Sequence, residues 1–502
     1  MAGWGGRQSE PAAKCKGQNR GPHQTSQVSG LRPLKTCEVF VWGTIVLLNT
    51  AKAFFTDREY FSQVFRLALP IAIQNLIMSS LNLVSVMMIG QLGEAPIAAV
   101  GLANQMFFLL QLVLFGINSG SAIFTAQLWG KGDVPNIRKV LSLALMLGLS
   151  VAGIFLALAR LAPQVVLGIY STDPEVVALG SEYLMIFGLS FPFIAITFTF
   201  AAVLRSTGNV RTPMVVSLLA LGFNTVLSYA LIFGKFGLPE MGTRGAATAG
   251  LVARILECSL LLGTVYLRRM PIAVRLADLL ALDLSFAGQV FKPILPVILN
   301  ETFWSFGITA YNVVYARMGT DAIATMNIVA PIENMAFVLV SGLANGTAIM
   351  VGNRIGAGEE QRAYRFGGRS ITLTTLLGLV IGSQLLLWAP YLLEVYKVSP
   401  EVVAGARWVL AIMGCMFWVR AGNAVIIVGI LRSGGDTLYS FILDGLIIWL
   451  VGVPSAIFTA FVLDWPVYLV YLAILSEEIL KWSLGMRRYF SRKWIHNLAQ
   501  TI

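Results

Sequence analysis

The sequence predicts an all-α polytopic membrane protein with 12 transmembrane helices in two parallel six-helix repeats. Of the 502 residues, 57% are hydrophobic and only 12% are charged, whereas a soluble chain carries about 25% charged residues. Apolar runs long enough to cross a bilayer, about 20 residues each, recur between Val64 and Gly485. A fixed internal repeat divides these runs into two halves.

Each apolar run is predicted to be a helix, because lipid offers no water to backbone N–H and C=O groups. The alternating ten-residue strands of a transmembrane barrel do not occur. The predicted spans are 64–90, 97–128, 138–161, 176–204, 212–234, 244–267, 291–317, 322–351, 366–389, 402–430, 438–463 and 466–485.

Basic residues concentrate in alternate loops, which accounts for the net charge of +11 without a nucleic-acid partner. Loops rich in Lys and Arg face the cytoplasm, so we expect both termini to be cytoplasmic and the protein to lie in the plasma (inner) membrane. The basic set comprises Lys131, Arg138, Lys139, Arg211, Arg268, Arg269, Arg275, Arg354, Arg362, Arg365, Arg369 and Arg432, with Lys481, Arg487, Arg488, Arg492 and Lys493 near the carboxyl end.

The amino-terminal region, residues 1–60, is predicted to be a polar cytoplasmic tail followed by a short interfacial helix, Val39 to Leu48. A signal peptide cleaved near Ala53 is the alternative, but cleavage would turn every basic loop outward. The remaining predicted divisions are an N-lobe at 61–267, a cytoplasmic linker at 268–290, a C-lobe at 291–490 and a cytoplasmic tail at 491–502.

The internal repeat has a constant shift of 226 residues. It relates Pro70 to Pro296, Gly93 to Gly319, Gly120 to Gly346, and PEVVA at 174–178 to PEVVA at 400–404. After one inserted residue, LRSTGN at 204–209 matches LRSGGD at 431–436. Six spans per repeat make the halves parallel, a plan that transporters use around a central site.

Several segments resemble signatures of the multidrug and toxic compound extrusion (MATE) family, prokaryotic type. They include MIGQLGEAPIAAVGLANQ at 88–105, GSAIFTAQLWGKGD at 120–133, LRSTGNVRTPM at 204–214 and LRSGGDT at 431–437. The resemblance covers about residues 55 to 495. It implies two six-helix lobes beside a central cleft, alternating access, and export of organic cations driven by a sodium or proton gradient.

Two carboxylates are predicted deep within spans, where ionisable residues are functional candidates. Glu301 and Glu333 fall near mid-membrane in the same lobe. Either can bind a cation, or take a proton if burial raises its pKa, and so bias the inward-facing against the outward-facing state. The alternative is an interhelical hydrogen bond that holds the lobe together.

The sequence departs from the family in the N-lobe. The resemblance implies an aspartate at the position of Ser85 and another one turn after Asn224, where Ser228 stands. Ser85, Asn224 and Ser228 are predicted to help hold a sodium ion or to contact the substrate. Ion coupling is then expected in the C-lobe. Trp304, Tyr311 and Tyr315 are predicted to line the cleft, because aromatic faces hold organic cations. Asn75 and Gln105 are predicted to be polar residues of the same cleft.

Other charged residues in spans are interpreted as structural. Arg254 with Glu257, and Lys481 with Glu477 or Glu478, have the i,i+3 or i,i+4 spacing of helix ion pairs. Arg420 and Asp444 lie nearer the helix ends, where Arg420 can snorkel and Asp444 can reach water or a basic loop.

These features predict a secondary-active antiporter for small amphipathic cations, working as a monomer in the bilayer. A flippase for lipid-linked or polysaccharide precursors, from the related superfamily, is the alternative. An enzyme is not expected, since both histidines lie in the tails and no phosphate-binding G-x-x-x-x-G-K-[ST] loop occurs. No cofactor or metal is expected apart from Na⁺ or H⁺ as the coupling ion.

Overall fold

The computed structural model describes residues 57–274, 283–394 and 398–501. The predicted interfacial helix and most of the amino-terminal tail lie outside these residues. The long helices are α1 Arg58–Gly90, α2 Glu94–Lys131, α3 Val134–Leu161, α4 Pro174–Ser206, α5 Arg211–Phe233, α6 Gly242–Leu267, α7 Leu284–Met318, α8 Thr320–Gly356, α9 Glu360–Leu393, α10 Pro400–Arg432 and α11 Thr437–Phe461, followed by α12, whose two parts are Val467–Ile474 and Ser476–Phe490.

The all-α membrane fold is confirmed. In the described part of the chain, ten helices are long and apolar enough to cross a membrane, namely α1–α6 and α8–α11. The other two, α7 and α12, take the places of the seventh and twelfth predicted spans. α7 carries buried polar residues such as Asn300, and α12 is divided into parts of 8 and 15 residues, each shorter than a full span.

The seventh helix begins earlier than its predicted span. Asp283 caps α7 by accepting a hydrogen bond from the backbone N–H of Ser285 at 3.3 Å, and a carboxylate is a favourable group at a helix amino terminus. Residues 284–290, predicted to belong to the linker, are therefore helical. Pro293 and Pro296 lie inside this helix.

Two helices of the second half depart locally from α-helical geometry. The last part of α10, Val425–Arg432, is a π-helix, as are Phe441–Leu446 and Ile448–Gly452 within α11. π-Helical turns occur frequently at functional sites. Here they place Arg432 and Asp444, two charged residues that meet inside the second half.

The two halves meet along a seam formed by α1, α2, α7 and α8. α1 packs against α8, and α2 packs against both α7 and α8. Near one end of the seam the backbones nearly touch at Gly130 and Gly356, which the 226-residue shift relates. A Cβ atom on Gly130 would overlap the carbonyl oxygen of Asn353, and one on Gly356 would overlap that of Gln127. Only glycine permits so close an approach.

This end of the bundle is here called the basic face, because Lys131, Arg211, Arg268, Arg354 and Arg487 lie at the adjoining helix ends. The carboxyl-terminal segment, Trp494–Thr501, crosses the seam at this face and is here called the terminal strap. The Nε2 of Gln127 donates to the carbonyl oxygens of Ser433 at 2.9 Å and His496 at 3.1 Å.

The strap makes further bonds to both halves. The backbone N–H of Leu498 donates to the Oε1 of Gln127 at 2.7 Å, and the Nζ of Lys131 donates to the carbonyl oxygen of Ala499 at 2.6 Å. On the other side, the Nδ2 of Asn497 donates to the carbonyl oxygen of Ile355 at 3.0 Å. The basic face is therefore closed by glycine contacts and tied by the strap.

Candidate substrate cavity and ion-pair network

A cavity of about 450 Å³ lies within the first half of the chain. Its walls come from α1, α2, α4, α5 and α6, near the helix ends opposite the basic face. Three residues predicted for the N-lobe line this cavity together, namely Ser85, Asn224 and Ser228. They converge because Asn224 and Ser228 lie one turn apart on α5, and Ser85 lies near the end of α1.

A buried carboxylate completes the polar wall of this cavity. Glu257 is 4% exposed, accepts a hydrogen bond from the Oγ of Ser217 at 2.7 Å, and pairs with Arg254 at 2.7 Å. All three residues line the cavity. The Oδ1 of Asn224 is buried and has no hydrogen-bond partner among the described residues. Carboxylate, amide and hydroxyl oxygens are thus available to a cation.

Aromatic rings form part of the same wall. Phe107 and Phe187 pack edge to face with centroids 5.4 Å apart, and Tyr183 stacks on Phe187 at 5.6 Å. All three line the cavity. An apolar pocket with a few convergent polar groups is the usual form of a small-molecule site, and aromatic faces attract organic cations.

Glu257 was not identified as a site residue from the sequence. Its i,i+3 pair with Arg254 is confirmed, but that spacing does not reveal which way the helix faces. The pair lines the cavity, so the first half does contain a carboxylate, on the sixth helix rather than at the two positions that the family resemblance implies.

The second half contains a chain of ion pairs instead. Glu301 pairs with Arg432 at 2.6 Å, Arg432 reaches Asp444 at 3.8 Å, and Asp444 pairs with Lys481 at 3.3 Å. Lys481 also contacts Glu477 at 3.3 Å. This chain joins α7, α10, α11 and α12 through charges on four helices.

One expectation from the sequence is wrong here. Arg432 is not a loop cation but is only 3% exposed, because Glu301 compensates its charge inside the bundle. The side chain of Asp444 is 16% exposed, and it pairs with Lys481 and accepts a hydrogen bond from the Nδ2 of Asn300 at 3.1 Å. The predicted contacts of Lys481 with Glu477 and Glu478 are present.

Glu333 also has an arginine partner. It pairs with Arg420, which donates to the hydroxyl of Tyr471 at 3.4 Å. Arg420 therefore does not snorkel to the helix end, since its charge is compensated on the neighbouring helix α8. The hydroxyl of Tyr311 donates to Glu477 at 2.9 Å, and Tyr315 is buried at 3% exposure.

The remaining predicted cleft residues do not gather at one place. Trp304 is 40% exposed and Gln105 is exposed. The Nδ2 of Asn75 donates to the Oγ of Ser341 at 3.2 Å, which joins α1 to α8 across the seam. The structure thus groups Ser85, Asn224 and Ser228, and places Glu301 and Glu333 in separate ion pairs.

A two-lobe bundle of membrane-spanning helices with an internal cavity defines a multi-pass membrane transporter. The MatE family model matches residues 70–230 and 296–458, and this chain belongs to that family. The two matched segments begin 226 residues apart, as the repeat does. Members of this family are transporters and not enzymes, as expected from the sequence.

Relatives match over most of their length. A protein of Thermotoga maritima named "Probable multidrug resistance protein NorM" is 24% identical over 436 residues, covering 87% of this chain and 93% of its own. A protein of the same name from Rhizobium meliloti is 28% identical, covering 78% and 85%. The solved outward-facing structure of a multidrug resistance MATE family transporter has a TM-score of 0.76 at 20% identity, covering 86% and 96%.

Proposed function

We propose that this chain is a secondary-active antiporter that exports small amphipathic organic cations, drugs among them, from the cytoplasm by alternating access. The observation that carries the proposal is the buried carboxylate of Glu257 on the wall of an aromatic-lined cavity of about 450 Å³. Such a wall suits a cation with an apolar body. The multidrug resistance names of the relatives support the same assignment.

The coupling ion binds at the same wall. Na⁺ takes oxygen ligands from Glu257, Asn224 and Ser228, or H⁺ takes one oxygen of Glu257. Either ion competes with Arg254, which pairs with Glu257 at 2.7 Å. Occupancy changes the charge of the cavity, and a ligand shifts a conformational equilibrium only by its differential affinity for the two states. The substrate and the coupling ion then bind in alternation, because both bind the carboxylate of Glu257.

The carboxylates of the second half support the lobe rather than couple transport. Glu257 is also paired with an arginine, but Arg254 lies on the cavity wall with 28% of its side chain exposed, so it can turn toward water when an ion takes Glu257. Arg432, the partner of Glu301, is only 3% exposed and would be left buried without its carboxylate. Glu333 pairs with Arg420 on the neighbouring helix. A buried charge left without its partner is costly. These pairs support coupling in the first half, whereas the sequence alone favours the second.

The protein lies in the plasma membrane as a monomer, with the basic face and both termini in the cytoplasm. Positively charged loops on one face support this orientation. Labelling of single cysteines from each side of sealed vesicles tests it. Reaction of Lys493→Cys only from the outside of right-side-out vesicles would contradict the orientation.

Efflux of a cationic dye from proteoliposomes tests the function. We expect dye movement that stops when one of the two gradients, sodium or pH, is collapsed and persists when the other is. The ion whose gradient is required is the coupling ion. Dye movement that ignores both gradients would contradict antiport. Absence of dye movement together with transfer of a labelled polyprenyl-linked sugar would favour the flippase instead.

A further inference from the structure

A second cavity, of about 90 Å³, lies between the two halves and nearer the basic face. Its walls come from α2 and α4 of the first half and from α8 and α10 of the second. Residues related by the repeat face each other across it, among them Ile123 and Ile349, and Arg205 and Arg432. It is separate from the larger cavity of the first half.

The two arginines have different surroundings. Arg432 is compensated by Glu301 at 2.6 Å and Asp444 at 3.8 Å. The guanidinium of Arg205 makes no hydrogen bond or ion pair with any described residue. Among the described residues that line this cavity, none is Asp or Glu. One guanidinium charge is therefore left uncompensated at the cavity wall.

The repeat explains this difference. A shift of 226 residues places Asn75 at the position of Glu301, and the shift of 227 that relates Arg205 to Arg432 places Ser217 at the position of Asp444. Both carboxylates that compensate Arg432 thus have neutral counterparts in the first half. Arg205 is half-buried, and a charge withdrawn from water without a partner is costly, so a site of this kind favours a ligand of opposite charge.

A second observation points to a ligand in the same cavity. Asn118 is 3% exposed and lines the cavity. Its Nδ2 donates to the carbonyl oxygen of Leu114 at 2.7 Å, but its Oδ1 is buried with no partner among the described residues. Buried polar atoms are nearly always satisfied. The cavity thus offers free guanidinium donors and a free acceptor, which suit an anion accompanied by a water molecule.

We propose that this interlobe cavity binds a small monovalent anion, a carboxylate group or a halide, on the guanidinium of Arg205. A guanidinium matches a carboxylate through two parallel N–H donors. A volume of about 90 Å³ is below the roughly 150 Å³ that accommodates benzene, so the site excludes a drug-sized molecule. Because both halves supply its walls, the anion stabilises the arrangement in which they are closed at the basic face.

The test is anion-dependent thermal stability of the purified full chain in nanodiscs, which requires no transport. Potassium gluconate is replaced stepwise by potassium acetate or potassium chloride at constant ionic strength. Gluconate is a carboxylate too large for the cavity. We expect a saturable rise in Tm with acetate, chloride or both. A response to acetate alone identifies a carboxylate group, and a response to chloride as well identifies a free inorganic anion.

Variants assign the response to Arg205. Arg205→Gln is expected to lower the apparent affinity at least about tenfold, the loss of one charge-assisted contact. Arg211→Gln, which alters an exposed arginine at the start of α5, is the matched control and leaves the response unchanged. An undiminished response in Arg205→Gln, or no response in the unaltered chain, overturns the proposal.

A third variant serves if Arg205→Gln does not fold. Arg205→Lys keeps the charge but not the paired donors, and it should weaken the acetate response about tenfold. An unchanged acetate response in folded Arg205→Lys would also overturn the assignment. Failure of dye efflux would leave this result untouched, so the two proposals fail separately.

Discussion

The two halves share their backbone plan but use their interiors differently. The first half contains a cavity of about 450 Å³ with the ion pair of Arg254 and Glu257 on its wall. The second half links Glu301, Arg432, Asp444 and Lys481 in a continuous chain of ion pairs. The two repeats share the helices and the seam, while one lobe contains the larger cavity and the other contains the linked ion pairs.

The difference matters because the two arrangements respond differently to loss of a charge. A cavity-wall carboxylate can change partner without disturbing the helices around it. A carboxylate in the chain of ion pairs is a partner that a buried cation requires. Substitutions in the two lobes should therefore separate transport from stability.

The largest effect expected is the loss of coupled transport in Glu257→Gln. Gln cannot carry the charge that a proton or Na⁺ neutralises, so gradient-driven efflux should fall to the passive leak while Tm stays near that of the unaltered chain. Dye efflux from proteoliposomes measures it, with Glu240→Gln, an exposed loop residue, as the control.

Glu301→Gln provides the reciprocal comparison between the lobes. It should retain gradient-driven efflux but lower the free energy of unfolding, because Arg432 loses its nearest carboxylate. If Glu301→Gln abolished efflux at unchanged Tm, while Glu257→Gln transported normally, coupling would belong to the second half and the comparison would be broken.

Breaking the ion-pair chain at its most buried cation should cost about 3–5 kcal/mol of unfolding free energy. Lys481 is 2% exposed and contacts Asp444 and Glu477 at 3.3 Å. In Lys481→Met these carboxylates lose their shared cation. Thermal unfolding in detergent measures the loss, and exposed Lys493→Met should show none. Equal stability of the two variants would argue against a supporting role for the chain of ion pairs.

The two halves are alike at the seam, so matching substitutions there should have matching effects. Gly130→Ala and Gly356→Ala each place a methyl group against main-chain carbonyl oxygen of the other half. Each should destabilise the closed basic face by about 1–3 kcal/mol, the usual cost of overpacking. Thiol labelling of Ser206→Cys should rise to a similar extent in both.

The control for the seam is Gly153→Ala, whose added methyl group meets nothing within 4 Å. It should leave labelling of Ser206→Cys unchanged. Strongly unequal effects of the two seam variants would show that the halves differ at the basic face as well as inside.

The smallest effect concerns Glu359, in the loop between α8 and α9. The hydrogen bond from Arg354 lowers the pKa of Glu359. A lowered folded-state pKa means that the contribution to stability is present above the unfolded pKa, about 4.3, and is lost as pH falls through the folded-state value. Below about pH 4.3, Tm of the unaltered chain should fall slightly more steeply than that of Glu359→Gln.

The control for this pH effect is Glu360→Gln, since the exposed carboxylate of Glu360 makes no ion pair with a described residue. Its acid-side slope should match that of the unaltered chain. If Tm of Glu359→Gln fell with pH as steeply as Tm of the unaltered chain and of Glu360→Gln, the hydrogen bond from Arg354 would have no role in stability.

The sequence predicts the helices well, because length and hydropathy in a bilayer leave few alternatives. It also predicts that Asn224 and Ser228 share a face, since they are one helical turn apart. It does not predict which way a helix is rotated, because packing against neighbours determines rotation. For that reason the i,i+3 pair of Arg254 and Glu257 was identified while its place on the cavity wall was not.

Local sequence patterns also do not predict ion pairs between residues that are far apart in the sequence. Arg432 follows an apolar run and looks like a loop cation, and only the fold brings it to Glu301, 131 residues earlier. The repeat contained a usable signal, since Glu301 and Asp444 replace Asn75 and Ser217 of the first half. Because the arginine is shared by the repeats, as Arg205 and Arg432, two carboxylates found in only one repeat indicate that only Arg432 is compensated.

The terminal strap has a practical consequence for anyone who attaches a reporter to this protein. Its backbone is hydrogen-bonded to Gln127 in one half, and its Asn497 side chain is bonded to Ile355 in the other. Under the alternating access proposed above, a fluorescent domain fused after Ile502 would resist separation of the halves at this crossing. A label at the carboxyl end would therefore alter the movement that it is meant to report. An exposed loop such as that around Glu240 is the better attachment point.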